Sequence, residues 1–307
     1  MFNETYRAQT ALLVATLPFV AAETVFALKG GTAINLFVRD MPRLSVDIDL
    51  TYLPLEERAK SLRAIEAALL RIKAAIERGL PPARVTPVPL TKEARITGLT
   101  VQRNLAQIKI EVTPVLRGAV FPTRTRRISS VTEAEFGFAE MQVLSFADLY
   151  GGKIVAALDR QHPRDLFDVR LLFAAEGLDD DTRAAVAVYL ASHPRPMAEV
   201  LAPSLKTLDR EYARGFIGMT NEAVPLADLE ATRARLIQEV VDAMPLPHKR
   251  FLLSVERGAP DWSFAPDGIE RLPAIQWRLI NIKGLTPDRR AANVAILAKV
   301  LSLPLGA

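Results

Sequence analysis

Ser45-Val46-Asp47-Ile48-Asp49-Leu50 sets two carboxylates two positions apart in an alternating stretch. Side chains of a strand alternate faces, so Val46, Ile48 and Leu50 turn to a core while Asp47 and Asp49 project together from the other side. Carboxylates held that close repel each other unless a cation sits between them. Two-metal phosphoryl transfer needs such a pair, because the metals activate a hydroxyl and steady the leaving phosphate. Standing alone, an Asp-x-Asp strand reads equally well as a strand with one solvated face. Ile108-Lys109-Ile110-Glu111-Val112 repeats the alternation, with Lys109 and Glu111 on the polar face. If the two strands are neighbours, Glu111 becomes a third carboxylate beside the pair; otherwise this is an ordinary amphipathic strand.

Two further stretches carry phosphate chemistry. Leu28-Lys29-Gly30-Gly31-Thr32-Ala33 is a turn between a short strand and a helix. Consecutive glycines let backbone N–H groups approach a phosphate, and the start of a helix adds partial positive charge. Lys29, Gly30, Gly31 and Thr32 are therefore candidate nucleotide-binding residues, with Thr32 supplying a hydroxyl. The Walker A pattern is absent, and a Gly-Gly pair by itself is also simply a turn. Farther on, Lys153 and Arg160 lie two helical turns apart, so both can face one side, and Asp165 and Asp168 share a face three residues apart. A lysine near triphosphate oxygens with an arginine behind it suits nucleotide binding. The bland alternative is surface charge, with acids placed favourably at a helix start.

Elements that position these residues follow from breakers and periodicity. A first helix is expected over 5–17, ended by Pro18, then strands over 24–28 and 44–50, a helix over 33–38 and a long amphipathic helix over 55–78 that stops at Gly79. Strands follow near 94–101 and 106–114, and the basic stretch 124–128 is a strand edge or a loop. Thereafter helices are expected over 146–159 (Ser145 and Asp148 forming its capping box), 164–175, 181–192, 206–215, 226–244, 247–257, 273–283 and 287–302. The expected architecture is α/β (α+β): a small mixed sheet flanked by helices over 1–178, then an all-helical domain over 179–307.

Composition narrows the chemistry. The 307 residues include no cysteine and only three histidines, His162, His193 and His248, at scattered spacings. Disulfides, thiolate catalysis and cysteine-ligated zinc are excluded, and a histidine-built metal site is disfavoured. Any metal is then a hard cation on carboxylates, Mg²⁺ or Mn²⁺. No apolar run approaches the ~18 residues of a membrane span, and the N-terminus lacks a basic start followed by an apolar core, so no membrane partner and a cytoplasmic location are expected. A net charge of +4 and a pI near 9.4 suit a polyanionic partner.

The serial order of Gly-Gly-Thr, an Asp-x-Asp strand, a carboxylate strand and a lysine helix resembles the DNA polymerase β-like nucleotidyltransferase superfamily. More closely, L-K-G-G-T-A-x-x-L, R-L-S-V-D-I-D-L, I-K-I-E-V and K-I-V-A-A-L-D-R-x-x-P-R-D-L-F-D-V resemble the AbiEii/AbiGii family over roughly residues 26–173. Those proteins are toxins of type IV toxin–antitoxin and abortive-infection systems. The resemblance implies that Gly30, Gly31 and Thr32 stand for the family's Gly-Ser motif, with threonine keeping the hydroxyl. It implies a metal-binding pair in Asp47 and Asp49, a third acidic position in Glu111, and a phosphate-binding Lys153. Arg164, Asp165 and Asp168 match an Arg-Asp-x-x-Asp motif whose carboxylates assist catalysis or architecture. It further implies nucleotide transfer from an NTP, in some members onto tRNA, and a separate antitoxin. Two other readings compete. Asp47-Ile48-Asp49-Leu50-Thr51 matches the D-x-D-x-T of haloacid-dehalogenase phosphatases, a fold that wants a longer apolar strand before the motif and leaves Gly30, Gly31 and Glu111 unexplained. A catalytically inactive RNA-binding or interaction module is the other, against which the intact set Asp47, Asp49, Glu111 and Lys153 argues; Arg124–Arg127 reads in either case as a phosphate contact or equally as a solvated edge strand that discourages aggregation.

Overall fold

The computed structural model describes residues 3–90 and 95–304. The chain gathers into two units: Met1–Ser145 with Gly218–Ala223, and Phe146–Ile217 with Val224–Ala307. The division falls at Ser145/Phe146, ahead of the boundary expected near 178. Helices α5 (Phe146–Arg160) and α6 (Pro163–Ala175) pack with α7 (Asp180–Ala191) and α10 (Leu226–Ile237), and so belong with the later helices.

A seven-stranded mixed sheet organises the first unit, in the order β3-β4-β5-β2-β1-β7-β6. Its strands are β1 (Phe26–Lys29), β2 (Asp47–Tyr52), β3 (Arg84–Leu90), β4 (Arg95–Arg103), β5 (Ala106–Val112), β6 (Arg124–Arg127) and β7 (Glu140–Val143). Position 94, where β4 was expected to start, lies outside the described residues. β2 runs antiparallel to β1 and parallel to β5. Ile108, Ile110 and Val112 are buried while Lys109 and Glu111 are exposed, as alternation requires. Both sheet edges are guarded. β3 carries Pro87 and Pro89, and β6 is the arginine-rich stretch, now seen as an edge strand.

Helix α1 (Glu4–Ala21) runs through Pro18 instead of stopping there. Proline removes one backbone donor, but Leu13, Leu17 and Val20 on its inner side are fully buried, so packing keeps the last turn helical. After β1 the chain forms α2 (Gly30–Thr32), which continues as a π-helical stretch over Ala33–Val38. α3 (Arg58–Gly79) ends at its expected glycine. α4 (Ser130–Phe136) is a short helix that periodicity did not reveal.

The second unit is helical throughout. α6 starts with Pro163 at its first turn and ends where Gly177, at φ 72°, returns its N–H to Leu172 O. α5 approaches α7 closely: a Cβ on Gly151 would lie 2.7 Å from Ala185 Cβ. Asp148 on α5 is buried and accepts the Tyr189 hydroxyl at 3.1 Å, and burial followed by Asp148 pushes that phenol well up. α8 (Met197–Leu201), α9 (Asp209–Gly215), a π-helical turn after α10 over Gln238–Asp242, α11 (Leu246–Glu256), α12 (Pro273–Lys283) and α13 (Pro287–Val300) complete it. Thr286 caps α13 as its Thr-Pro-Asp start predicts. No helix among the described residues is long and apolar enough to cross a membrane.

All three histidines lie in the second unit, and burial is the first cause lowering each of their proton affinities. A histidine whose folded pKa is depressed takes its proton more readily in the unfolded chain. Stability is therefore full above the ordinary value of about 6.5 and declines as pH falls through it. Both tryptophans, Trp262 and Trp277, also lie there, so their fluorescence follows this unit. The urea midpoint read by tryptophan fluorescence is expected to be higher at pH 7.5 than at pH 5.5.

Candidate active site

The sheet register brings the sequence candidates of the first unit together. Asp49 stands directly opposite Glu111 across the parallel β2/β5 pair, and Asp47 opposite Lys109. Lys29 stands opposite Asp49 across the antiparallel β1/β2 pair. Directly opposed residues share a face, so Lys29, Asp49 and Glu111 form one row over three strands, with Asp47 one pleat earlier. Asp47 and Asp49 are half-buried and Glu111 is exposed, while Ile48 and Leu50 are fully buried beneath them.

The Gly-Gly turn is built around this row. Gly30 has φ 72°, a left-handed conformation, and a Cβ there would lie 2.5 Å from Asp49 Oδ2. Gly31 is confined for a different reason: its Cβ would meet Arg43 Nη2 at 2.7 Å and Ser45 Oγ at 3.2 Å. Arg43 is 3% exposed and donates to its neighbour Leu44 O at 3.0 Å. Its backbone pairs with Thr220, and Leu44 N donates to Met219 O, so Gly218–Ala223 braces the lead into β2. Thr32 is turned inward. It is 1% exposed, hydrogen-bonded to Ser45 Oγ at 2.9 Å, and donates to the Asp47 main-chain oxygen at 2.5 Å. That hydroxyl fastens the turn to the start of β2. Lys29 Nζ donates to Thr113 Oγ1 at 2.9 Å. Arg43, Ser45 and Thr113 are the contributors that sequence reasoning missed. Thr113 follows Glu111 by two positions on the same alternation, which is the one signal that would have found it.

Asp47, Asp49 and Glu111 offer only oxygen donors, which suit a hard divalent cation. The missing Cβ of Gly30, which would lie 2.5 Å from Asp49 Oδ2, gives that carboxylate room to sit against the turn. Among the described residues no group of three or more acidic or histidine side chains is gathered to hold an ion. Mg²⁺ commonly needs only one or two carboxylates, completing its shell with water and substrate phosphates, so the pair Asp47 and Asp49 fits it.

In the second unit the remaining candidates form their own cluster. Lys153 on α5 is 7% exposed, and its Nζ lies 2.9 Å from both Asp165 Oδ1 and Asp168 Oδ2 on α6. Arg160 Nη2 donates to Asp165 Oδ1 at 3.1 Å; it is 2.9 Å from Oδ2 but off the hydrogen-bonding direction, so that oxygen has no hydrogen bond. Burial opposes ionisation of Asp165, but Lys153 and then Arg160 overcome it and hold its carboxyl below the usual range. His162 caps α6 by accepting Arg164 N at 3.1 Å, which leaves Arg164 a half-buried neighbour of the cluster.

The sheet thus presents the Asp47/Asp49 pair beside the Gly-Gly turn, the arrangement on which the resemblance to nucleotidyltransferases rests. The family model described as "Nucleotidyl transferase AbiEii toxin, Type IV TA system" matches residues 11–278, and the chain belongs to that family. It is thus a nucleotidyltransferase toxin of a toxin–antitoxin system, a class that acts on an NTP and is paired with a separate antitoxin. No curated protein matches the chain. Among solved structures it is similar to MenT4, a nucleotidyltransferase toxin from Mycobacterium tuberculosis H37Rv, at 17% identity and a TM-score of 0.58, with 90% of this chain and 93% of that chain covered. The phosphatase alternative falls with the family, and also with geometry, because β2 begins at Asp47 itself and has no apolar stretch leading into the motif.

Two substitutions separate architecture from chemistry. Lys153→Ala strands two buried carboxylates and is expected to lower stability by about 3–5 kcal/mol, read by urea unfolding with tryptophan fluorescence. Gly30→Ala strains a left-handed residue and displaces the Asp49 carboxylate. It is expected to lower stability by only about 1–3 kcal/mol but nucleotide transfer by roughly 100-fold or more, read in parallel unfolding and transfer assays.

Proposed function

We propose that this toxin transfers a nucleoside monophosphate from an NTP to an acceptor hydroxyl on tRNA, with Asp47 and Asp49 holding the required Mg²⁺. The observation that carries this reading is the Asp49–Glu111 pair across β2 and β5, with Asp47 on the same face and Gly30 shaped to admit the Asp49 carboxylate. When bound, the metal ion supplies charge neutralisation for the triphosphate. Gly30 and Gly31 present backbone to the phosphates at the mouth of the turn. Glu111, exposed and level with Asp49, takes the proton of the acceptor hydroxyl. The hydroxyl oxygen bonds to the α-phosphorus, the bond from that phosphorus to the bridging oxygen breaks, and pyrophosphate leaves with the electron pair.

An RNA acceptor is supported by the exposed arginines of β6, three strands from β2 in the same sheet, or about 14 Å at the usual strand spacing. The overall basic balance agrees with it. The assignment of Lys153 to nucleotide phosphates rests on resemblance alone, since its ammonium is already paired twice. A cytoplasmic site of action follows from a tRNA substrate.

The test is incubation of the full chain with total RNA, Mg²⁺ and each α-labelled NTP in turn, beside Asp49→Asn. Label at tRNA size, reduced by at least about 1000-fold in Asp49→Asn, is the expected result, several kcal/mol of transition-state stabilisation being lost with the ligand. Full activity in Asp49→Asn would overturn the assignment of the row, and label on protein or a small molecule would replace the acceptor.

A further inference from the structure

Lys29 has a position that phosphate binding does not explain. It closes β1 opposite Asp49, which in turn stands opposite Glu111. Its ammonium does not point off the end of β1. The side chain crosses β2 to reach Thr113 Oγ1 at 2.9 Å, two residues beyond Glu111. A four-carbon stem can span one strand in this way. Because β2 and β5 are parallel, Thr113 lies on the side of the Asp49–Glu111 row opposite to Asp47. The row is therefore flanked by a third carboxylate on one side and by an anchored ammonium on the other.

We infer that Lys29 is a built-in second cation, holding the place that a second divalent ion would take on the Thr113 side of the row. The inference rests on the metal-centre reading proposed above. Charge supports it: three carboxylates stand against Lys29 on one side and Lys109, opposite Asp47, on the other, and the one negative charge left is more than neutralised by a single divalent ion. A second divalent ion would have to sit against a fixed like charge. Thr113 is then a positioning residue, keeping the ammonium over the row and away from the Gly-Gly turn. The centre takes one divalent ion, on the Asp47–Asp49 side, where polymerase-type chemistry elsewhere employs two.

The probe is Mn²⁺ alone, counted by the electron paramagnetic resonance signal of the unbound ion during titration of the full chain. One Mn²⁺ is expected for the wild type and for Lys29→Arg. For Lys29→Met, loss of a unit charge within ~6 Å of a divalent ion is expected to tighten the first Mn²⁺ by at least about tenfold or to admit a second. Thr113→Val, which leaves the charge but frees it, is expected to shift affinity in the same direction by less. Two Mn²⁺ in the wild type would overturn the inference and leave the metal centre standing, as would unchanged binding in both Lys29→Met and Thr113→Val. No Mn²⁺ bound to the wild type would overturn the metal centre itself, and this inference with it.

Discussion

Asp49 and Glu111 face each other across a parallel strand pair, and the neighbouring residues of the first unit are fitted around these two acids. Because the two residues are opposed by register, the separation of their Cα atoms is set by the backbone hydrogen bonds of the ladder. The apolar residues beneath, Ile48, Leu50 and Ile110, are fully buried and lock that register, since a one-residue slip would bury the acids instead. The neighbours are then chosen to live with the charge. Lys29 reaches over β2, Gly30 gives up its Cβ to Asp49, and Thr32 ties the turn to the start of the same strand. Charge repulsion of this kind weakens a fold and serves a site that binds cations.

The helical unit answers the same electrostatic problem in the opposite way. Asp165 and Asp168 are as close in sequence as a helix face allows, but they are buried, and Lys153 stands between them with Arg160 outside. Here the positive partner comes from the chain and is permanent. Such an ion cluster gives little net stability relative to an apolar core, yet removal of one member is severe. The contrast divides the acidic residues into those of the sheet, half-buried or exposed, and a buried pair already supplied with a cation.

How far the sequence carried depends on the range of the interaction. Local signals were reliable: alternation in Asp47–Leu50 and Ile108–Val112, Pro163 and Gly177 bounding α6, and Thr286 capping α13. They located the acids, their faces and the helices that carry Lys153 and Asp165. Strand β3 was hidden because Pro87 and Pro89 argue against a strand, and an edge position tolerates them; β7 has only four residues. Non-local facts were not legible. The bond between Lys29 and Thr113 spans 84 residues, and the bracing of Arg43 by Thr220 joins stretches still farther apart in the sequence. The inward turn of the Thr32 hydroxyl depended on Ser45 and the Asp47 carbonyl, which no spacing rule reveals. The compact units divide at Ser145/Phe146, ahead of the boundary expected near 178, because α5 and α6 pack among the later helices.

The central claim is that the pair Asp47 and Asp49, beside Glu111, is held in the fold at a cost that a divalent cation relieves. Thermal unfolding of the wild type and of Asp49→Asn, each in chelator and in Mg²⁺, tests it without reference to any acceptor. In chelator Asp49→Asn is expected to melt a few degrees above the wild type, as relief of about 1 kcal/mol implies for a unit of this size. Mg²⁺ is expected to raise the wild type and leave the variant nearly unchanged. A variant less stable than the wild type in chelator, together with a wild type indifferent to Mg²⁺, would show that Asp49 serves the fold alone.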